Sequence, residues 1–199
     1  MVFLTFGQKR TIPIRKISFA LAVLMAVLVY PVGQQSMAAQ VPPVPEYQVK
    51  ATFLFQFTQF VDWPQEAFPA GQTSLVIGIL GQDPFGTFLD QIVRDEKVNR
   101  RPLVIQRYRR LEDVKNCQVL FVSRSEAGRL REIVAAFKGR STLMVGDEDG
   151  FADRGGIIQF VTQGNRIRLR INLEAAKAAR LTISSKILRP ATVISPGAQ

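Results

Sequence analysis

The chain has 199 residues, of which 47% are hydrophobic, 21% charged and 9% aromatic, a balance that excludes a disordered tail, a collagen-like fibre and a multi-domain assembly. Lys plus Arg number 26 against 16 Asp plus Glu, for a formal net charge of +10. With no histidine and a single cysteine, Cys117, the chain cannot build a Ser-His-Asp or Cys-His device, an HExxH zinc site, an internal disulfide or a four-sulfur metal cage.

Residues 1–38 read as a secretory signal peptide: Lys9, Arg10, Arg15 and Lys16, then an apolar run from Ile17 to Tyr30, then the small residues Ser36, Ala38 and Ala39. The run is shorter than the roughly 20 residues that span a bilayer, although an uncleaved anchor would export the domain as well. Removing this segment takes four cations and no acid, leaving 22 basic against 16 acidic groups, a net of +6. An exported protein rarely meets nucleic acid, so no nucleic-acid partner is expected; the excess serves solubility or an anionic surface. Residues 39–46 form a stiff Pro-rich linker, and a single domain occupies 47–195.

The domain opens with a predicted helix from Tyr47 to Val61, stopped by Pro64. Tyr47, Ala51, Leu54, Phe57 and Val61 share its apolar face, while Phe55 points away among Gln48, Thr52 and Gln59. Short apolar runs at Leu75–Leu80, Pro102–Ile105, Val119–Val122 and Leu143–Val145 predict strands covered on both faces. Helical patterns lie between them at Phe85–Val93 and Ser125–Phe137, with Ser125 as cap and Gly139 as stop. Ile157–Val161 and Arg166–Ile171, joined by Thr162-Gln163-Gly164-Asn165, predict a hairpin. Leu173–Ala179 returns to helix, and Ser184–Leu188 forms a last short element. The fold class is α/β: a three-layer, mainly parallel sheet flanked by helices, with a C-terminal antiparallel hairpin.

Four polar features stand out. Gly81, Asp83, Phe85 and Gly86 mark a strand-to-helix turn where α/β sheets hold anions, although the run matches neither GxGxxG nor a Walker loop. Asp147-Glu148-Asp149-Gly150 with Asp153 lacks the closing Glu of a calcium loop and reads as a solvated surface turn. Arg166, Arg168 and Arg170 alternate along one strand and, with Asn172, line one surface suited to carboxylates or phosphates; pairing with the protein's own acids explains them equally well. Cys117 precedes a buried run and fits a small core residue, unless it is exposed.

The ordered residues resemble the YfiR family. The likeness rests on Tyr47-x2-Lys50-Ala51-x-Phe53-Leu54 running into Phe60-Val61-x-Trp63-Pro64, then Ile77-Gly78-Ile79-Leu80-Gly81 with Asp83-Pro84-Phe85-Gly86, then Cys117–Val122. Gly155-Gly156-Ile157-Ile158-x-Phe160, Arg168-x-Arg170-Ile171-Asn172 and Ile183–Leu188 complete it, over about 47–194. The resemblance implies a periplasmic, non-enzymatic repressor that binds the periplasmic part of an inner-membrane diguanylate cyclase or other membrane sensor. It also implies release by an outer-membrane lipoprotein, a homodimer, and effects on cyclic-di-GMP and biofilm growth. Family members often carry further cysteines in disulfides, whereas this chain keeps only Cys117. The expected partner surface comprises Phe55, Trp63, Arg166, Arg168 and Arg170, with Trp63 equally able to anchor the core. The alternative is a periplasmic small-anion sensor that uses Gly81, Asp83, Phe85 and Gly86. No cofactor, metal or catalytic residue is expected.

Overall fold

The structure, a computed structural model, describes residues 45–195; the expected signal peptide and most of the expected linker lie outside them. Helix α1 (Glu46–Phe60) begins one residue earlier than the periodicity predicts, because Glu46 reaches Lys50 one turn on and Pro45 takes the cap position. Strand β1 (Val61–Asp62) follows, then β2 (Leu75–Leu80), α2 (Thr87–Val93), β3 (Lys97–Val98), β4 (Arg101–Tyr108) and β5 (Val119–Val122). Next come α3 (Leu130–Phe137), β6 (Leu143–Gly146), β7 (Ile158–Gln163), β8 (Arg166–Asn172) and α4 (Leu173–Ala178). The described chain closes with β9 (Thr182–Ile183), α5 (Ser185–Leu188) and β10 (Thr192–Ile194).

Eight strands form one sheet in the order β10-β8-β7-β6-β5-β2-β4-β3, and β1 pairs with β9 apart from it. The central pairs β4–β2, β2–β5, β5–β6 and β6–β7 are parallel, the β7–β8 hairpin is antiparallel, and β10 runs parallel to β8. This is the mainly parallel α/β sheet that alternating strand and helix patterns imply. Strands β2, β5 and β6 are buried along their whole length, as continuous apolar runs require.

Two predicted elements differ. Strand β4, expected to be covered on both faces, alternates instead: Leu103 is buried while Val104 and Gln106 are exposed. Only β3 lies beyond it, pairing at Arg101 and Pro102 alone, so near the rim helices cover one side. The predicted helix from Ser125 begins as a 3₁₀ segment over Arg124–Arg129 and becomes α-helical at Leu130. Its cap is Ser123 rather than Ser125, since the Ser123 hydroxyl accepts the Ser125 N–H at 3.4 Å.

Aromatic rings join α1 to the sheet. Phe57 stacks on Phe160 of β7 at 5.9 Å, with Phe53 beside both, and Phe85 meets Phe121 of β5 edge-on at 4.8 Å. Full burial of such a ring contributes on the order of 1.5–3 kcal/mol. Phe55 was expected on the solvent side, yet it is half-buried and packs against the core. The reason is tertiary: α2 and α5 pack against α1 in addition to the sheet. Buried Gln118 fastens the connection into β2. Its side-chain amide donates to Ala67 O at 2.6 Å while its Oε1 accepts the Val76 N–H at 2.9 Å.

Candidate functional site

From β2 the chain steps outward to β4, then returns across β2 to β5, so the direction of winding reverses between β2 and β5. Open α/β sheets bind ligands outside the carboxyl ends of strands at such a point. Here that position holds Gly81 to Gly86 after β2, Ser123 to Ser125 after β5 and Asp147 after β6, with the N-terminal turn of α1 over Asp147.

The turn after β2 spends its polar groups internally. The Gln82 N–H donates to Ser125 Oγ at 2.9 Å, and a Cβ on Gly81, whose φ is +91°, would lie 2.8 Å from Glu126 Cγ. Asp83 accepts the Phe85 N–H at 2.7 Å through one oxygen and the Arg107 guanidinium at 2.7 Å through the other. Arg107 also grips Asp90 and holds that carboxyl below the usual carboxylate range. Phe85 is buried against Tyr47 and Phe121, and exposed Gly86 turns the chain into α2 at φ +55°.

Asp147 is the main departure from the sequence reading. It is expected in a solvated turn, yet it is 1% exposed and accepts from Lys50 Nζ at 2.6 Å and Tyr47 Oη at 3.0 Å. Lys50 is wholly buried, reaches Glu46 at 2.5 Å as well, and lies over the Tyr47 ring. Arg124 covers the cluster from outside: it donates to Asp147 O at 2.9 Å and sits 3.5 Å from Oδ1, which has no hydrogen-bond partner among the described residues. Two buried charges require this pairing, because desolvation penalises either one alone. The signal available in the sequence is Lys50 itself, which projects within the apolar arc of α1 between Leu54 and Phe57.

Burial, then the neighbouring Asp147 carboxylate, pushes the Tyr47 phenol up to about 12. The Lys50 hydrogen bond holds the Glu46 carboxyl below its ordinary value. Burial also pushes Tyr108 and Cys117 up to about 12, so the buried thiol is inert at neutral pH. Tyr47, Tyr108 and Cys117 each lose their proton more readily in the unfolded chain, so their contribution is complete at neutral pH and is lost as pH rises from about 9 towards 12. The expected result is tyrosinate absorbance at 295 nm that stays flat through pH 10.5 for the two tyrosines of the domain and rises with unfolding. Titration of either phenol near pH 10 in the folded protein would contradict it.

The expected partner residues do not form one patch. Trp63 is half-buried and donates to Gln118 O at 3.1 Å, beside the amino end of β5. The arginines lie on β8, and β6 and β7 intervene between β8 and β5. Arg168 and Arg170 are brought together at a 360 Å³ pocket with Gln163 and Thr192. Arg170 grips Asp153 with two hydrogen bonds, of 2.8 and 3.0 Å. Arg166 and Arg168 are exposed and make no ion pair among the described residues. Asn172, expected on the same surface, is buried: it caps α4 through Ala175 N–H at 2.9 Å and donates to Ala152 O at 2.9 Å.

No curated protein matches the chain. Among solved structures, an ABC domain in complex with L-Trp from Streptococcus pneumonia is 11% identical, with a TM-score of 0.48 over 74% of this chain and 60% of that one. A conserved domain protein from Vibrio cholerae O1 biovar El Tor strain N16961 is 14% identical, with a TM-score of 0.47 over 75% and 60%. The chain thus spans 60% of the length of each of these structures. A family model described as YfiR/HmsC-like matches residues 47–192, from the first turn of α1 to the start of β10. The chain therefore belongs to the YfiR/HmsC-like family.

Proposed function

We propose that this protein is a periplasmic repressor that binds the periplasmic part of an inner-membrane signalling protein, a diguanylate cyclase, and holds it inactive. The observation that carries the reading is the family match, which covers the whole described domain rather than one motif. The chemistry agrees with it: the Lys50–Asp147 cluster is sealed in the core, while Arg166 and Arg168 stand exposed and make no ion pair among the described residues. Guanidinium forks of this kind suit carboxylates on a partner. Repression requires tighter binding to the inactive form of the sensor than to its active form.

Deleting the gene is expected to raise cellular cyclic-di-GMP, and crosslinking is expected to recover a membrane protein with a periplasmic segment. A chain carrying Arg166→Glu and Arg168→Glu should fold normally and fail to restore repression. Unchanged cyclic-di-GMP in the deletion strain, with no membrane protein crosslinked, would remove the proposal. An outer-membrane lipoprotein that releases repression, and a homodimer, belong to the same reading; pull-down and sedimentation test them.

A further inference from the structure

At the amino end of the sheet, beside the starts of β5 and β6, a pocket of 170 Å³ is lined by Glu66, Asn116, Arg140, Ser141, Thr142 and Arg180. We propose that this pocket binds a small oxyanion, a phosphate or carboxylate group, independently of the regulatory reading. Three separate observations support the assignment.

The first is an orphaned hydroxyl: Ser141 Oγ is buried and has no hydrogen-bond partner among the described residues. Buried hydroxyls are nearly always satisfied, so this one marks an unanswered polar atom in the pocket wall. The second is the state of the arginines. Arg140 donates to Lys115 O and lies over the Phe137 ring at 4.3 Å, so its guanidinium is already oriented. Among the described residues neither Arg140 nor Arg180 has a carboxylate within ion-pair distance. One oriented guanidinium and a second, exposed one, with no acid paired to either among the described residues, suit a bound anion.

The third observation is backbone strain. Arg180 ends α4 in the left-handed region, at φ +57°, where the Arg180 N–H donates to Lys177 O at 2.8 Å and the Leu181 N–H to Ala176 O at 2.9 Å. Helices place glycine in this position because a Cβ is disfavoured there. An arginine at the mouth of a basic pocket, on backbone better suited to glycine, points to a role for its side chain. The volume sets the class of ligand: 170 Å³ is below the roughly 300–1,000 Å³ of pockets that enclose whole drug-sized molecules, and it admits an oxyanion with a few waters. Glu66 is the one acid in the lining and opposes the anion, so its neutralisation should tighten binding.

Calorimetric titration and thermal unfolding of the exported chain with sodium phosphate and sodium acetate, against sodium chloride at equal ionic strength, test the site. Phosphate is expected to bind and raise the melting midpoint beyond the chloride control. Arg180→Gly should melt no lower than the wild type without phosphate, which shows an intact fold, and should bind phosphate at least tenfold more weakly. Ser141→Ala should also weaken binding, and Glu66→Gln should tighten it. Vesicles of phosphatidylglycerol separate the sources: co-sedimentation that Arg180→Gly abolishes assigns a lipid headgroup, whereas phosphate binding without vesicle binding assigns a free anion. Phosphate and acetate effects no larger than those of chloride, or undiminished phosphate binding by Arg180→Gly, would overturn the site. The cyclic-di-GMP readout plays no part in these measurements, so the two proposals fail separately.

Discussion

Lys50→Met is expected to lower the unfolding free energy by about 3–5 kcal/mol, because it leaves the Asp147 carboxylate buried without its principal cation. Tyr47 would remain as a neutral donor, and Arg124 would have to move inward from its 3.5 Å position. Lys50→Met with Asp147→Leu removes both charges and should return stability to within about 1 kcal/mol of the wild type, since apolar replacement of a buried pair is often neutral or better. The contrast is Lys177 with Glu174, an exposed pair on α4 at 3.0 Å, where Lys177→Ala should change stability by about 0–1 kcal/mol. Urea denaturation of the four proteins measures all of this. A loss below about 1 kcal/mol in Lys50→Met would mean that the pair does not hold α1 to the sheet.

Gly156→Ala is expected to destabilise the fold by about 1–3 kcal/mol through overpacking. The Phe151 ring is wholly buried between Gly146 and Gly156; a Cβ on Gly146 would lie 2.6 Å from the ring, and one on Gly156 closer still. Gly156 carries no positive φ, so the effect is steric rather than conformational. Phe151→Leu in the same chain should recover part of the loss by withdrawing the ring edge. The consequence reaches the surface, because this ring seats the loop that delivers Asp147 to Lys50 and Asp153 to Arg170. A midpoint unchanged in Gly156→Ala, with the same denaturant slope, would show that the ring has room to move.

The strands with continuous apolar runs were legible because their burial is decided by β propensity and hydrophobicity within six residues or fewer, as in Val119–Val122. The hairpin was legible for a similar reason, since Gly164 and Asn165 supply its turn locally. Strands β1, β3, β9 and β10 leave no such signal, because each has two or three residues, too few to show a period. The burial of Phe55 is not legible for a different reason: a helical wheel assumes a single buried face, and α1 also packs against α2 and α5.

Composition and order by themselves determined the fold class, the family, and the exclusion of histidine-based chemistry, because each depends on residue types or on patterns that can be read along the chain without knowing which side chains meet. Tertiary structure alone decided which polar groups meet. Lys50 and Asp147 lie 97 residues apart, and although the apolar arc around Lys50 signals its burial, nothing near Asp147 in sequence reveals that it answers that charge. The same holds for Arg170, paired with Asp153, against Arg166 and Arg168, which make no ion pair among the described residues although all three share one strand face. Charge pairing is short-ranged and depends on where the backbone brings side chains together, so periodicity can put a charge on a face without saying what answers it.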